Sequence, residues 1–158
     1  MINILFICHG NICRSPMAEF IMKDLVLKQG TADGFLIASA ATSSEESGNP
    51  VYPMARQELL KHGISCEGKK ARRIRRQDYE EYDYLIGMEH YNLNNMLREF
   101  KKDPENKIYR LLDFTDRPGD IDDPWYTRRF DIAYQEIELG CKALYAFLSR
   151  NFNTDSLS

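Results

Sequence analysis

No apolar run in the sequence approaches the ~20 residues that a membrane-spanning helix needs. The first residues also lack the basic start and the cleavage site that are typical of a secretory signal. Cysteine is scarce, at four of 158 residues, and the spacing of these four fits no zinc pattern. Few cysteines without a secretory signal are typical of reduced thiols. We therefore expect a cytoplasmic protein with no membrane span and no zinc site.

A strong charge of either sign is absent as well. The formal net charge of −3 gives no overall attraction to nucleic acid, so we expect no nucleic-acid partner. Charged residues make up 28% of the chain and hydrophobic residues 43%, which is ordinary for a globular protein. We expect a single domain over residues 1–150, followed by a polar tail over residues 151–158.

What the sequence does have is an alternation of strand-like and helix-like apolar segments. The predicted strands are residues 2–8, 35–39, 84–88 and 108–112. The predicted helices are residues 16–30, 54–62, 91–101 and 130–148. This alternation predicts an α/β fold, in which helices cover both faces of a parallel sheet. Ligands of such sheets bind beyond the carboxyl ends of the strands.

One of these carboxyl ends carries the most informative motif of the chain. Directly after the first strand the sequence reads Cys8-His9-Gly10-Asn11-Ile12-Cys13-Arg14-Ser15. A strand that turns tightly into a helix aims successive backbone N–H groups at one point and so forms an anion site. Cys8 supplies a thiolate nucleophile there, and Arg14 supplies a bidentate clamp for one phosphate. The loop therefore predicts phosphoryl chemistry through a cysteine.

The smaller residues of this loop also suit an anion site. Gly10 has no Cβ, so the backbone can pass close to a bound oxyanion. Asn11 tolerates a left-handed conformation, and its amide can tie the loop to itself. Ser15, followed by Pro16, is predicted to be the N-cap of the next helix. We also expect the Ser15 hydroxyl to reach the sulfur of the nucleophile.

A cysteine-dependent phosphatase also needs an acid for its leaving group. The phenolate of phosphotyrosine has a pKa near ~10, so protonating it during P–O cleavage supplies much of the rate. The candidate acid is Asp123, in the segment Asp122-Asp123-Pro124-Trp125-Tyr126. Pro124 restricts Asp123 to extended conformations, which present a carboxylate at the edge of a loop. Trp125 and Tyr126 offer flat faces for an aromatic substrate.

Together these residues resemble the low-molecular-weight protein tyrosine phosphatases. The nucleophile loop of that family, C-x-G-N-x-C-R-S-P, is matched by residues 8–16, and its acid loop is matched by residues 123–126. The resemblance covers nearly the whole chain. It implies a four-stranded parallel sheet, no metal or organic cofactor, and hydrolysis through a phosphocysteine. The expected substrate is a phosphotyrosine-containing protein or a small aryl phosphate.

The resemblance also implies a role for each residue of the two loops. Cys8 is the nucleophile, Arg14 binds the phosphate, and Asp123 acts as acid and then as base. Asn11 and Ser15 support the thiolate and the loop. The full set expected to contact substrate or phosphate is His9, Gly10, Asn11, Ile12, Cys13, Ser15, Trp125 and Tyr126.

Three positions depart from the family pattern. Glu45 stands where many members have an aromatic on the substrate wall, which should weaken stacking and disfavour strongly acidic peptides. Lys69 replaces a histidine that is said to brace the loop around Asn11. His9 follows the nucleophile, where members often have an apolar or small residue, and it either faces solvent or lines the pocket mouth.

Three other functions are compatible with parts of the pattern. Arsenate reductases use a similar loop but need further cysteines for a thiol relay, and Cys66 and Cys141 form no close pair in the sequence. Protein arginine phosphatases carry threonine where this chain has Ile12, and the apolar Ile12 favours a phenyl ring. A non-catalytic phosphotyrosine-binding module is expected to lack one of the catalytic residues, and all are present.

Two features remain open from sequence alone. Residues 69–76 contain six of the 21 basic residues, and this run is either a solvated segment entering a short helix or a docking patch for acidic groups. Cys13 either packs beneath the nucleophile loop or forms a reversible disulfide with Cys8 after peroxide oxidation.

Overall fold

A parallel sheet of four strands lies at the centre of the computed structural model, which describes the backbone of residues 1–157 and the side chains of residues 1–150. Its strands are β1 (Ile2–Cys8), β2 (Phe35–Ala41), β3 (Tyr84–Gly87) and β4 (Ile108–Arg110). They lie in the order β2-β1-β3-β4, and every neighbouring pair is parallel. The predicted four-stranded parallel sheet is confirmed.

Helices connect these strands. The α-helices of the described residues are α1 (Arg14–Lys28), α2 (Pro53–Lys61), α3 (Arg76–Glu81), α4 (His90–Phe100), α5 (Pro124–Thr127) and α6 (Phe130–Leu157). Short 3₁₀ helices lie at Ala32–Gly34 and Leu111–Phe114. In this part of the chain, no helix has the length and apolar character needed to cross a membrane.

The central strand β1 is buried on both faces. Ile4 and Phe6 belong to a core that α1, α2 and α6 cover, whereas Leu5 and Ile7 belong to a second core with side chains of α3 and α4. Successive side chains of a strand alternate between its faces, so a strand covered on both sides is apolar throughout. Cys8 follows Ile4 and Phe6 in this alternation and packs in the same core, towards α1.

The start of α1 differs from the prediction. Ser15 was expected to be the N-cap, but α1 begins at Arg14 and Cys13 is the N-cap. The other expectation for Ser15 is confirmed: its hydroxyl lies 3.0 Å from the Cys8 sulfur and accepts a 2.7 Å hydrogen bond from the Asn11 side chain. Because that hydroxyl is occupied in the site, it does not cap the helix.

The end of the fourth strand also differs from the prediction. The strand was expected to run over residues 108–112, but β4 ends at Arg110 and the chain turns into a 3₁₀ helix at Leu111. Leu111 is fully buried against α6 at Gly140, where a Cβ would lie 2.5 Å from Leu111 Cγ. Packing against α6 therefore takes Leu111 out of the sheet.

The last helix extends beyond its predicted end at residue 148. It runs over Phe130–Leu157, so the backbone of the predicted tail, residues 151–158, continues α6 as far as Leu157. The side chains of this tail lie outside the described residues.

Most of the basic run over residues 69–76 is paired within the protein. Arg72 donates to both carboxylate oxygens of Asp78, at 3.0 and 3.2 Å, and Asp78 is fully buried. Arg73 pairs with Glu99 at 3.4 Å. Arg75 also contacts Asp78, at 3.4 Å. The run also enters the short helix α3 at Arg76, and four of its six basic residues are exposed, so the interpretation as a solvated segment entering a short helix is confirmed and the ion pairs are an addition to it.

The strand order places a crevice between β1 and β3. From β1 the chain crosses to β2 at one side of the sheet, whereas from β3 it crosses to β4 at the other. The loops that follow β1 and β3 therefore diverge, and a crevice opens where they separate. Cys8 at the end of β1 and Glu89 just after β3 reach this crevice.

Candidate active site

A cleft of about 170 Å³ lies beyond the carboxyl end of β1. The predicted site residues that line it are Cys8, His9, Gly10, Ile12, Cys13, Arg14, Asp123, Trp125 and Tyr126. Glu45 and Glu46 complete the lining. Asn11 and Ser15, the remaining predicted site residues, are buried and contact the Cys8 sulfur. The structure therefore brings all of the predicted site residues together.

The Cys8 sulfur lies inside a ring of hydrogen-bond donors. It accepts from the backbone N–H of Asn11 at 3.3 Å and of Ser15 at 3.4 Å. The Ser15 hydroxyl lies 3.0 Å from it. Asn11 adopts the predicted left-handed conformation, with φ of 60°, and this turn aims its N–H inwards. Donors that converge on one sulfur favour a negative charge there.

A buried hydrogen-bond chain connects the Ser15 hydroxyl to Glu19. The Asn11 side-chain amide donates to the Ser15 hydroxyl at 2.7 Å and to the Ser39 hydroxyl at 2.9 Å. Ser39 in turn donates to the carboxylate of Glu19 at 2.6 Å. The Ser15 oxygen accepts from Asn11 and keeps one proton to donate, for which a thiolate at Cys8, at 3.0 Å, is a nearer acceptor than the carbonyl of Ala40, at 3.5 Å.

Lys69 closes this chain at the end opposite to Cys8. Its ammonium donates to the carbonyl of Ser39 at 2.9 Å and lies 3.3 Å from the Glu19 carboxylate. Glu19 is only 4% exposed, so it needs a cation nearby. Burial lowers the pKa of Lys69, and the attraction of Glu19 opposes that effect. Lys69 therefore reaches the nucleophile loop through Glu19 and Ser39.

The Arg14 guanidinium is buried and held between two loops. It donates to the carbonyl of Ile121 at 2.8 Å and faces Glu89 at 3.2 and 3.5 Å. Burial by itself lowers the pKa of Arg14, but attraction to Cys8, Asp123 and Glu89 outweighs it, so that the pKa lies above its ordinary value. Arg14 is thus a fixed cation at the floor of the cleft.

Asp123 reaches the same cleft from the loop before α6. It is the N-cap of the short helix α5, and its Oδ1 accepts from the backbone N–H of Trp125 at 3.0 Å. Its Oδ2 lies 3.5 Å from Arg14 Nη2. One carboxylate oxygen therefore orients the side chain, while the other faces the Arg14 guanidinium.

The rim of the cleft carries both charged and aromatic groups. His9 lines the mouth, and its Nε2 contacts Glu45 Oε2 at 3.1 Å. Trp125 is partly covered by Tyr52, with ring centroids 5.0 Å apart, whereas Tyr126 is 81% exposed. The rim therefore offers one supported and one free aromatic face, next to a His9–Glu45 pair.

Several residues of the site were not identified from the sequence. Glu89, which faces Arg14, carries one available signal, since it directly follows a predicted strand at the end where ligands bind. Glu19 and Ser39 carry no such signal. Their contacts join segments that only the folded chain brings together.

Residues 3–154 match the sequence profile of the family described as low molecular weight phosphotyrosine protein phosphatase. A Bacillus subtilis relative, low molecular weight protein-tyrosine-phosphatase YfkJ, is 38% identical over 154 residues, which cover 95% of this chain and 97% of the relative. Low molecular weight phosphotyrosine protein phosphatase 1 of Drosophila melanogaster is 38% identical over 146 residues, which cover 89% of this chain and 93% of the relative.

Solved structures agree with these matches. The crystal structure of YfkJ from Bacillus subtilis gives a TM-score of 0.92 at 37% identity and covers 96% of each chain. The crystal structure of a drosophila arginine phosphatase gives a TM-score of 0.83 at 31% identity, covering 94% of this chain and 98% of that one.

Replacing Lys69 tests the buried end of the hydrogen-bond chain. We expect Lys69→Met to lower the free energy of unfolding by roughly 1–3 kcal/mol, because the buried Glu19 then keeps only the exposed Lys23 as a cationic partner. Urea unfolding at neutral pH measures this change. The control is Lys70→Met at the exposed neighbouring residue, which should stay within about 0.5 kcal/mol of the parent. Equal effects of the two substitutions would contradict the role of Lys69 as the cationic partner of the buried Glu19.

Proposed function

The chain belongs to the low molecular weight phosphotyrosine protein phosphatase family, and we propose that it hydrolyses phosphotyrosine through a phosphocysteine on Cys8. One observation carries this proposal. A cysteine sulfur surrounded by donors, a buried arginine and a carboxylate line one small cleft, with Arg14 3.5 Å from Asp123. This arrangement matches the needs of phosphoryl transfer to a thiolate, namely a nucleophile, a clamp and an acid.

In the first proposed step, the phosphoryl group passes from substrate to enzyme. The Cys8 sulfur attacks phosphorus, while Arg14 and the N–H groups of the loop bind the phosphate oxygens. The P–O bond to tyrosine breaks, and Asp123 gives its proton to the departing phenolate oxygen. A sulfur–phosphorus bond has then replaced the oxygen–phosphorus bond, and tyrosine leaves.

In the second proposed step, water hydrolyses the phosphocysteine. Asp123, now a carboxylate, takes a proton from the attacking water, and the S–P bond breaks to release phosphate. The leaving group is the Cys8 thiolate. The Ser15 hydroxyl, 3.0 Å from this sulfur, donates its proton to the thiolate and stabilises the charge that returns to it.

The shape of the cleft supports an aromatic substrate. Ile12 presents an apolar side chain in the lining, and Trp125 and Tyr126 present flat faces at the rim. A second cavity of about 640 Å³ adjoins the cleft and shares Ile12, Glu46 and Trp125 with it. We propose that peptide residues next to the phosphotyrosine extend towards this cavity. The cytoplasmic location expected from the sequence stays a prediction.

Phosphoarginine is the second candidate substrate, because a drosophila arginine phosphatase shares the fold at 31% identity. The apolar Ile12 favours the phenyl ring instead. We expect phosphotyrosine peptides to be hydrolysed, and phosphoserine and phosphoarginine peptides of the same sequence to be hydrolysed much more slowly. Phosphate release from the three peptides measures this, with Cys8→Ser as the inactive control, since a serine without a base is a poor nucleophile. Faster release from phosphoarginine, or turnover by Cys8→Ser, would refute the proposal.

Replacing Asp123 tests the acid. Asp123→Asn keeps the size of the side chain but removes the proton donor. For phosphotyrosine we expect kcat/KM to fall by about 10²–10⁴-fold, the usual contribution of general acid catalysis. An aryl phosphate with an acidic phenol needs little protonation, so its kcat/KM should fall far less. Equal losses for both substrates would mean that Asp123 only positions the loop and that another group, Asp122 first, donates the proton.

Peroxide treatment tests the role of Cys13. We propose that peroxide converts the Cys8 thiolate to a sulfenic acid and hydroxide, after which the Cys13 thiol condenses with it to a disulfide and water. Both residues line the cleft. Burial raises the pKa of Cys13 well above its ordinary range, and nearby Cys8 raises it further, so capture by the neutral thiol should be slow.

A Cys8–Cys13 disulfide would protect Cys8 from irreversible oxidation. Activity measured after peroxide and then after reductant tests this protection. The parent and Cys66→Ala should recover most of their activity, whereas Cys13→Ala should not. Full recovery of Cys13→Ala would show that Cys13 only packs beneath the loop.

A further inference from the structure

Arg128 adopts a backbone conformation that is unusual for its residue type. It has φ of 61° and ψ of 11°, in the left-handed region, and directly follows α5. This region is disfavoured for a residue with a long side chain, because Cβ approaches the following carbonyl oxygen. Its N–H donates to the carbonyl of Pro124 at 2.9 Å, which closes the short helix. The conformation turns the Arg128 side chain back towards α2.

The Arg128 guanidinium there joins two separate parts of the chain. Nη2 donates to the Tyr52 hydroxyl at 2.8 Å and contacts the Met54 sulfur at 3.0 Å. Nη1 donates to the carbonyl of Trp125 at 3.2 Å. The guanidinium also lies 5.5 to 5.9 Å from the ring centroids of Tyr52, Trp125 and Phe130, within the range of cation–π attraction.

Each of the two parts is tied to a catalytic loop. The N–H of Tyr52 donates to the carbonyl of Ile12 in the nucleophile loop at 2.9 Å. The N–H of Trp125 donates to the Asp123 carboxylate at 3.0 Å. Arg128 therefore stands at the middle of a continuous path of contacts that runs from Ile12 to Asp123.

We propose that Arg128 is a positioning residue, which links the acid loop to the start of α2 and so holds Asp123 next to the nucleophile loop. This inference rests on the proposed function, in which Asp123 donates the proton to the leaving group. Arg128 itself contacts neither Cys8 nor Arg14 and takes no part in proton transfer. It acts through Trp125 on one side and Tyr52 on the other.

The proposal predicts that replacing Arg128 lowers kcat/KM by a factor that depends on the leaving group of the substrate. A misplaced acid slows the reaction most where protonation matters, and small displacements of a catalytic group cost a large part of its effect. Substrate binding to Arg14 and alkylation of Cys8 do not need the acid. A general loosening of the fold, by contrast, would reduce the rate for every substrate alike.

The test uses Arg128→Asn, because asparagine tolerates the left-handed conformation but cannot reach Tyr52. We expect its kcat/KM for a phosphotyrosine peptide to fall by about 10-fold or more, and that for an aryl phosphate with an acidic phenol to fall less than about 3-fold. The rate at which iodoacetate alkylates Cys8, inhibition by inorganic phosphate and the urea midpoint should stay near the parent values.

Three further variants complete the design. Arg129→Asn is the matched control, since the neighbouring Arg129 pairs with Asp131 and not with Tyr52 or Trp125. The activity of this variant should equal that of the parent. Arg128→Lys keeps the positive charge but not the planar guanidinium, and it should recover part of the lost kcat/KM. In an Asp123→Asn background, Arg128→Asn should cause little further loss of kcat/KM, because the acid that Arg128 positions is already gone.

Two results would overturn the proposal, and they differ from a failure of the proposed function. If Arg128→Asn reduces kcat/KM equally for both substrates, or not at all, while Asp123→Asn remains selective for phosphotyrosine, Arg128 does not position the acid. If Asp123→Asn itself shows no selectivity, the acid assignment is wrong and the role of Arg128 fails with it.

Discussion

The contact between the Ser15 hydroxyl and the Cys8 sulfur, 3.0 Å long, is the interaction on which the rest of the site depends. A thiolate at the end of a buried strand needs donors, and the first turn of α1 supplies them only if the loop keeps its shape. The left-handed turn at Asn11 fixes that shape, and the amide of Asn11 donates to the Ser15 hydroxyl. The chain that begins at Glu19 thus connects the core to the group that contacts the Cys8 sulfur.

Buried charge is the second constraint. Arg14 is 1% exposed, and an uncompensated cation in such a place is costly. Glu89 and Asp123 supply the opposite charge, at 3.2 and 3.5 Å, and the carbonyl of Ile121 accepts a further hydrogen bond. The same partners hold the guanidinium in one orientation at the cleft. The arrangement that compensates the buried charge therefore also fixes the group that we propose to bind phosphate.

The two catalytic loops are far apart in sequence and meet only in the folded chain. Arg14 and Ile121, which join them directly, are 107 positions apart. The start of α2 forms a second connection, because Tyr52 contacts the nucleophile loop and Arg128 links Tyr52 to the acid loop. Since proton transfer is sensitive to distance, the rigidity of this second connection bears directly on the reaction.

The sequence by itself determined the parallel sheet, the nucleophile loop after β1 and the acid loop with Asp123. Each of these is a local pattern, in which a few consecutive residues specify backbone shape and chemistry. Only the tertiary structure decided that Cys13 rather than Ser15 caps α1, and that Arg72, Arg73 and Arg75 pair internally. It alone assigned roles to Glu19, Glu89 and Arg128. Their partners lie on other elements, and no spacing along the chain reports a contact that forms when a helix packs on a sheet.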